Sequence, residues 1–209
     1  MRDTFIENWF SVPIMIHQVM GSALYKVQKE IDNAIPIVKQ KDLSNPWGDG
    51  VKTDFKYELN ACFLRDYECN TLVEIVDSLT QNFLTAHDVE QKYGKIGLLN
   101  SWINFSNRGD YQYDHNHETE MYSDVECYIS GAYFYKTNGE DGDLSFKSPN
   151  VMHTTTLDIF TKHPRANFKP QVGKILLFPS WLEHRVNLNK TDSERISISF
   201  NMGMRKAYI

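Results

Sequence analysis

The sequence predicts an α+β domain that is mainly β, and three observations support this prediction. Two segments in the first half of the chain space their apolar residues as amphipathic helices do. From residue 95 onward the chain consists of short segments rich in aromatic and β-branched residues. Gly, Asn, Asp and Pro separate these segments, which is typical of a β-sandwich or barrel with the helices packed on one sheet.

The N-terminal part is predicted to begin with a strand and a helix. Residues 5–19, FIENWFSVPIMIHQV, have the apolar composition of an edge strand. Residues 21–35 then place apolar side chains, among them Val27 and Ile31, at helical spacing. We expect Pro36 to limit the continuation of this helix, because proline has no N–H group to donate.

A loop and a second helix complete this part of the chain. Residues 41–55 contain Gly, Asn, Asp and Pro and are predicted to form a turn-rich loop. Residues 70–89 carry a second apolar stripe at helical spacing. Asn70 or Thr71 is the predicted N-cap, since short polar side chains accept the unpaired N–H groups of a first helical turn.

Seven strands are predicted in the second half of the chain. They cover 95–106, 110–118, 125–137, 142–149, 173–181, 184–189 and 194–203. The loop 150–172 interrupts them and contains His153 and His163, of which only His153 is a substrate-loop candidate. No linker divides the 209 residues, so we expect one domain (1–209), in which residues 1–94 support a β core formed by residues 95–209.

Composition limits the classes of partner and compartment. The net charge is −5 and no segment is strongly basic, so nucleic-acid binding is not indicated. No apolar run approaches 18 residues, and the N-terminus lacks a signal-peptide pattern, which predicts a cytoplasmic protein without membrane contact. Three cysteines without zinc-site spacing are expected to be free thiols. The hydrophobic first strand suggests the hypothesis of a homodimer.

The octet YDHNHETE, residues 113–120, contains a histidine pair. In an extended segment, side chains two positions apart point to the same side, so His115 and His117 can present two imidazoles to one point. Neutral imidazole is a common metal ligand. The alternative is a solvated polar loop, and the octet alone does not decide between them.

A third histidine and an alternating strand follow later in the chain. His184 comes after the turn that ends the apolar run KILLFP. From Arg195 the sequence alternates, with Arg195, Ser197, Ser199 and Asn201 on one face and Ile196, Ile198 and Phe200 on the other. The polar face either meets water or lines the interior of a barrel. An interior guanidinium would require an anion, and its fork suits a carboxylate.

These motifs resemble the iron(II)- and 2-oxoglutarate-dependent dioxygenases. The segments HNH, SGAYFY, GDLSFKSP, GKILLFPSWLEH and ERISISFN are similar to those of a group of 2-oxoglutarate/Fe(II) oxygenases found in bacteria and phages. The resemblance covers residues 95–203, and LFPSWLEH followed by RISISFN is its most specific part. It implies a double-stranded β-helix, the jelly-roll fold that cupins also use.

The resemblance also implies cofactors and roles. Fe(II) would be bound by His115 and His184, and the distal carboxylate of 2-oxoglutarate by Arg195 with help from Ser197. The implied reaction hydroxylates a small-molecule or peptidyl substrate and releases succinate and carbon dioxide. Two other hypotheses stay open: a cupin-type three-histidine metalloenzyme that does not use 2-oxoglutarate, and a non-catalytic jelly-roll binding protein.

The third iron ligand departs from the usual family pattern. That pattern has a carboxylate two positions after the first histidine, where this sequence has His117. Strand spacing favours His117 itself as the ligand. The alternatives are that Asp114 or Glu118 supplies a carboxylate through a local bend, or that the metal site is lost.

Three further residues are candidates for cosubstrate contacts. Asn104 and Tyr113 lie on strands before the histidine pair and are predicted to point inward, and Tyr133 lies in SGAYFY. Their alternative positions are the core or the rim of the domain, where polar and aromatic residues of this kind are also common.

Overall fold

The computed structural model describes residues 11–44, 48–56, 61–89, 95–117, 125–149 and 164–205. These segments form three helices and eleven strands. The helices are α1 (Gly21–Val38), α2 (Phe63–Asp66) and α3 (Asn70–Ala86). The strands are β1 (Met15–Gln18), β2 (Gly48–Asp49), β3 (Lys52–Thr53), β4 (Gly97–Ser106), β5 (Tyr111–His115), β6 (Val125–Lys136), β7 (Leu144–Lys147), β8 (Arg165–Phe168), β9 (Lys174–Pro179), β10 (His184–Val186) and β11 (Arg195–Arg205).

The strands form two antiparallel sheets that face each other. The larger sheet has the order β1-β9-β6-β11-β4-β3, and the smaller has the order β2-β5-β10-β7-β8. Apolar side chains from both sheets meet between them, among them Phe134 and Phe178 of the larger sheet and Leu144 and Phe146 of the smaller. This arrangement confirms the predicted α+β class with a mainly β architecture.

The helices cover the outer face of the larger sheet. Val27 and Ile31 of α1 belong to one buried cluster with Ile103 of β4 and Ile198 and Phe200 of β11. Burying a side chain of this size contributes about 1.5–3 kcal/mol, so the cluster anchors both helix and strand. The helices therefore pack on one sheet, as predicted, and they leave the space between the sheets free for polar residues.

Strand β11 has two faces of opposite character. Ile196, Ile198, Phe200 and Met202 lie in the helix-side cluster. The alternate residues Arg195, Ser197 and Asn201 point between the sheets and are at most 7% exposed. Of the two positions considered for the polar face, the structure shows the interior one, and this strand therefore brings polar groups into the β core.

The two long helices differ in detail from the prediction. Helix α1 continues to Val38 and includes Pro36, so the expected stop at Pro36 is wrong by two residues. The predicted capping of α3 by Asn70 or Thr71 is also wrong, because no side chain of the helix caps its N-terminus. Glu30 of α1 performs this role: its carboxylate accepts the backbone N–H of Thr71 at 3.1 Å and joins the two helices.

The structure adds elements that the sequence pattern did not reveal. Helix α2 and the short strands β2 and β3 precede β4, and the two strands lie within the predicted loop 41–55. Strand β8 lies within the predicted loop 150–172. His153, His163 and the rest of 150–163 lie outside the described residues. None of the described helices combines the length and the hydropathy needed to cross a membrane.

Candidate functional site

Two histidines face each other on neighbouring strands of the smaller sheet. His115 ends β5 and His184 begins β10, and the two are directly paired in the antiparallel ladder. Their ring centroids are 4.4 Å apart. The third histidine, His117, lies two residues beyond the end of β5, where its backbone N–H donates to the carbonyl oxygen of Ser180 at 2.9 Å. This bond holds the end of β5 next to the turn before His184.

The three imidazoles form one compact cluster. One ring nitrogen from each of His115, His117 and His184 lies within 4.8 Å of the others. The ring centroid of His117 lies 5.3 Å from that of His115 and 5.0 Å from that of His184. His117 and His184 are each 4% exposed, whereas His115 is half-buried. Three nitrogens at these separations can surround one divalent ion, since metal–imidazole bonds are about 2.0–2.1 Å long.

Each imidazole is oriented by a hydrogen bond at Nδ1. His115 Nδ1 is 2.7 Å from the carbonyl oxygen of Tyr113, and His184 Nδ1 is 2.8 Å from that of Leu182. A carbonyl oxygen only accepts, so Nδ1 carries the proton in both rings. The lone pair is then at Nε2, which is the form of histidine that ligates metal ions.

His117 is oriented by side chains of the larger sheet. Its Nδ1 is 2.7 Å from the amide oxygen of Asn201 and 2.8 Å from the hydroxyl of Ser130. The Ser130 hydroxyl itself donates to the same amide oxygen at 2.8 Å. Asn201 therefore accepts two hydrogen bonds and fixes the ring of His117 from the opposite sheet.

Burial keeps the three imidazoles neutral near neutral pH. It lowers the pKa of His117 to about 3. Repulsion between the protonated forms of His117 and His115 makes a smaller contribution in the same direction. Burial also lowers the pKa of His184 well below its ordinary value and lowers that of His115. A metal ion therefore meets little competition from protons at this cluster, because the ligating form is already present.

A bulge in β5 determines which side chains reach the cluster. His184 pairs with His115 and Val186 pairs with Gln112, so three steps along β5 match two steps along β10. This extra residue shifts the alternation within β5. As a result Gln112 and His115 both line the space between the sheets, although they are an odd number of residues apart.

The histidine cluster opens into a cavity between the two sheets. Aromatic and aliphatic side chains form most of its wall, and polar groups of β11 form its far side. The lining residues are Trp102, Gln112, His115, His117, Gly131, Ala132, Phe134, Leu144, Phe178, His184, Val186, Arg195, Ser197 and Ser199. A mostly apolar cavity with a few convergent polar groups is the usual form of a small-ligand site.

Arg195 brings a buried positive charge to this cavity. Its side chain is 1% exposed. Nη1 donates to the carbonyl oxygen of Gly142 at 2.9 Å, whereas Nε is buried without a hydrogen-bond partner. Burial lowers the pKa of Arg195 to about 10, opposed by the negative charges of Asp141 and Asp110, so the group stays protonated near neutral pH. A protonated guanidinium in this position calls for an anion.

Gly142 allows this contact with Arg195. Its φ is +104°, and a Cβ built on it would lie 2.2 Å from the carbonyl oxygen of Asn187 and 3.4 Å from Nη1 of Arg195. Glycine fits this position because it adopts a positive φ readily and has no Cβ. Another residue would rarely adopt this φ, and its Cβ would clash with the neighbouring backbone.

The carboxylates considered as alternative iron ligands are placed differently. Asp114 accepts two hydrogen bonds from Nη2 of Arg165, with both oxygens at 2.6 Å. Asp114 is exposed. Among the described residues, the side chains that lie close enough to hold one metal ion with His115 are His117 and His184, and not Asp114. Glu118 lies outside the described residues.

Comparison with known proteins relates the second half of the chain to one family. Residues 100–201 match the family described as "Putative 2OG-Fe(II) oxygenase", where 2OG is 2-oxoglutarate. This segment, which contains the three histidines and Arg195, is similar to that family. The chain is a 2-oxoglutarate-dependent non-haem iron oxygenase, and its cofactors are Fe(II) and 2-oxoglutarate. No curated protein matches the chain in sequence.

Solved structures show the same fold at low sequence identity. A Pseudomonas putida prolyl-4-hydroxylase is 13% identical, with a TM-score of 0.62 over 93% of this chain and 94% of that one. HygX from Streptomyces hygroscopicus, with nickel and 2-oxoglutarate bound, is 12% identical, with a TM-score of 0.60 over 92% and 83%. The carbocyclase SnoK from nogalamycin biosynthesis is 13% identical, with a TM-score of 0.65 over 92% and 79%. The oxygenase therefore has the double-stranded β-helix core that the resemblance implied.

The donor set of this oxygenase fits the family's cofactors. Three neutral imidazoles offer the nitrogen ligands that suit Fe(II), and the space next to them is lined by Arg195 and Ser197. The unpaired Nε of Arg195 is a buried donor that a carboxylate would satisfy. Both ends of a chelating dicarboxylate thus have suitable groups in one cavity.

Two of the five predicted cosubstrate residues, Arg195 and Ser197, line the cavity. A third, Asn104, pairs with Ser197 across β4 and β11. Its amide nitrogen donates to the hydroxyl of Ser199 at 3.1 Å, while its amide oxygen is buried without a partner. Asn104 thus points inward as expected, but it reaches the cavity only through Ser199.

The other two candidates do not line the cavity: the inward position predicted for Tyr113 is wrong, and Tyr133 has the core position that was its alternative. Tyr113 is 56% exposed and its hydroxyl is 3.1 Å from that of Tyr111 on the outer side of the sheet. Tyr133 is fully buried but belongs to the helix-side cluster, where its hydroxyl accepts a bond from Gln28 at 3.3 Å. The alternation of β6 explains this, because Ala132 and Phe134 take the inner face.

Sequence reasoning also missed residues that shape the site. Gln112, Trp102 and Phe178 line the cavity, and Ser130 contacts His117. Of these, only Trp102 could have been predicted. It lies two residues before Asn104 on β4, so the two side chains point to the same face of the strand. Gln112 depends on the bulge, which no pattern in YQYDH indicates.

Proposed function

We propose that this oxygenase hydroxylates a C–H bond of a small-molecule or peptidyl substrate. In this proposal His115, His117 and His184 hold Fe(II), while Arg195 and Ser197 bind the distal carboxylate of 2-oxoglutarate. The reaction consumes one dioxygen and one 2-oxoglutarate for each hydroxyl group formed, and it releases succinate and carbon dioxide.

The burial of the Arg195 guanidinium is the main support for this proposal. This charge is 1% exposed and has no ion pair among the described residues. The negative charges of Asp141 and Asp110 act on it without contact, so its hydrogen-bonding groups still favour an anion in the cavity. Arg195 lines the same cavity as the three imidazoles. A dicarboxylate that reaches from the metal to the guanidinium satisfies both requirements with one ligand.

The protein groups act by binding, orientation and exclusion of water. Bound iron and 2-oxoglutarate supply the oxidising chemistry, in which decarboxylation of the keto acid accompanies the reduction of dioxygen. The Nδ1 hydrogen bonds of the histidines hold their Nε2 atoms toward one point. Trp102, Phe134 and Phe178 line the cavity with apolar surface, which limits the access of water to the reacting groups.

Hydroxylation is favoured as the outcome for two reasons. One structural relative is a prolyl-4-hydroxylase, and hydroxylation requires only that a C–H bond be held near the metal. Another relative is a carbocyclase, so the same fold also serves other oxidative outcomes. The substrate is therefore proposed only by class, as a small molecule or an amino-acid side chain of a peptide.

Turnover without a substrate provides the first test. The purified chain, Fe(II), oxygen and 2-oxoglutarate labelled at C1 should release labelled carbon dioxide slowly, and Arg195→Met should abolish this release. A panel of free amino acids and prolyl peptides, incubated under labelled dioxygen, then tests hydroxylation by incorporation of one labelled oxygen atom. Iron binding without any decarboxylation would contradict the proposal and favour the cupin-type alternative that does not use 2-oxoglutarate.

A further inference from the structure

A buried acid lies in the turn that contacts Arg195. Asp141 is fully buried, and its carboxylate accepts hydrogen bonds from the Thr137 hydroxyl at 2.6 Å and the Asn138 backbone N–H at 2.9 Å. Both partners are neutral. No cation of the described segments forms an ion pair with this carboxylate, and a buried carboxylate is costly unless a positive charge lies near enough to balance it.

Arg195 supplies that positive charge. Asp141 directly precedes Gly142, whose carbonyl oxygen accepts from Nη1 of Arg195 at 2.9 Å. The electrostatic attraction of Asp141, followed by that of Asp110, raises the pKa of Arg195 against the opposing effect of burial. The two charges are thus coupled through space, while the buried Nε of the guanidinium has no hydrogen-bond partner.

We propose that Asp141 is the internal counter-charge of Arg195 and that it competes electrostatically with the cosubstrate. This inference rests on the proposed binding of 2-oxoglutarate by Arg195. Without the cosubstrate, Asp141 stabilises the buried guanidinium. When the distal carboxylate binds, two negative charges share one cation, and their repulsion weakens binding. Asp141 thus stabilises the empty site and lowers the affinity for 2-oxoglutarate, acting through Arg195 as a positioning residue.

The test uses Asp141→Asn, which keeps the shape of the side chain and removes its charge. We expect the full chain with Fe(II), held without oxygen, to bind 2-oxoglutarate about tenfold more tightly than the wild type. The unfolding midpoint without 2-oxoglutarate should fall, and the increase that saturating 2-oxoglutarate produces should become larger. A residue that only shaped the turn would lower stability and weaken binding together.

Asp143→Asn is the matched control, because Asp143 is a half-buried acid of the same turn. It should leave the affinity for 2-oxoglutarate unchanged. Asp110→Asn is the second variant, for use if Asp141→Asn fails to fold. Asp110 is 9% exposed and its carboxylate accepts the Asn107 N–H at 2.6 Å, so its loss should also tighten binding.

The outcomes separate this inference from the proposed function. Equal or weaker binding by Asp141→Asn, or by Asp110→Asn where the first does not fold, overturns the counter-charge role. If the wild type binds 2-oxoglutarate and Arg195→Met does not, the proposed function survives that result. Failure of the wild type to bind 2-oxoglutarate at all would contradict the proposed function itself.

Discussion

The Nδ1 atom of His117 lies 2.7 Å from the amide oxygen of Asn201, in a hydrogen bond that joins the two sheets at the histidine cluster. His117 follows β5 of the smaller sheet, whereas Asn201 belongs to β11 of the larger one. The ring that stands where the family usually has a carboxylate is therefore positioned by a residue from the opposite sheet. Its orientation depends on that contact, because His117 itself lies two residues past the end of β5.

Removal of this contact should weaken metal binding. We expect Asn201→Leu to reduce the affinity for Fe(II) about 10- to 100-fold, since His117 loses the acceptor that fixes its ring. Asn201→Asp keeps an acceptor oxygen and should bind Fe(II) more tightly than the leucine variant. Anaerobic titration with Fe(II) measures both. Ser199→Ala is the control, because the hydrogen bond of Ser199 is with Asn104. Wild-type affinity in Asn201→Leu would disprove the role of the hydrogen bond.

The identity of the third ligand can be tested by two substitutions. His117→Ala should lower the affinity for Fe(II) by more than about 100-fold, because loss of a ligand exceeds the effect of losing its supporting hydrogen bond. Asp114→Asn should leave the affinity unchanged, since Asp114 is paired with Arg165. Metal content after anaerobic dialysis provides the measurement. Iron retained by His117→Ala would transfer the role to Asp114 or Glu118.

Two glycines of one turn should respond very differently to alanine. Gly142→Ala should reduce the free energy of unfolding by about 3 kcal/mol or more, because its Cβ would lie 2.2 Å from the Asn187 carbonyl oxygen at a φ of +104°. Gly139→Ala should cost about 1–2 kcal/mol, because its φ is +86° but the nearest atom to a Cβ is 3.8 Å away. Urea unfolding compares the two, and equal losses would contradict the close approach at Gly142.

The metal-free protein should lose stability in acid. Burial lowers the pKa of His117 from 6.5 to about 3, so the unfolded chain binds a proton over this range that the folded chain does not. The stability contribution of neutral His117 is therefore complete above about pH 6.5, and it falls by about 1.4 kcal/mol per pH unit as the pH decreases towards 3. His184, whose pKa is also lowered, adds to the same slope.

Urea unfolding of the metal-free protein between about pH 7.5 and 4 measures this slope. His117→Leu should make the dependence of the unfolding free energy on pH less steep, because one imidazole fewer takes up a proton on unfolding. His87→Ala, which changes an exposed histidine at the end of α3, should retain the wild-type slope. A slope that is unchanged in His117→Leu would show that this ring is not held neutral by burial.

The alternation of β11 shows what the sequence predicts well. Arg195, Ser197, Ser199 and Asn201 alternate with apolar residues, so their common face could be assigned from the sequence. Only the side on which that face lies required the structure. In β6, by contrast, the segment SGAYFY is apolar on both faces, because β6 is a central strand buried on both sides. Its inner and outer residues could not be distinguished, so Tyr133 could be predicted only as either a cosubstrate contact or a core residue.

Contacts between distant residues explain most of the other differences. Glu30 takes over the capping of α3 although it lies in another helix, and capping rules read only neighbouring residues. The outward position of Tyr113 follows from the register of β5 against β10, where a bulge changes the alternation. Gly142 contacts Arg195 through its backbone carbonyl oxygen, which every residue type has. A glycine at this position therefore indicated a turn, but it could not indicate the contact with Arg195.

Joint binding of iron and cosubstrate can be tested by an anaerobic titration of the metal-free chain, first with Fe(II) and then with 2-oxoglutarate. We expect a weak visible charge-transfer band that requires both additions. This band should be absent in His184→Ala at every concentration, and in Arg195→Met it should appear only at much higher 2-oxoglutarate with unchanged affinity for Fe(II). A band of wild-type strength at wild-type 2-oxoglutarate concentrations in Arg195→Met would show that Arg195 does not hold the cosubstrate in the cavity of the three histidines.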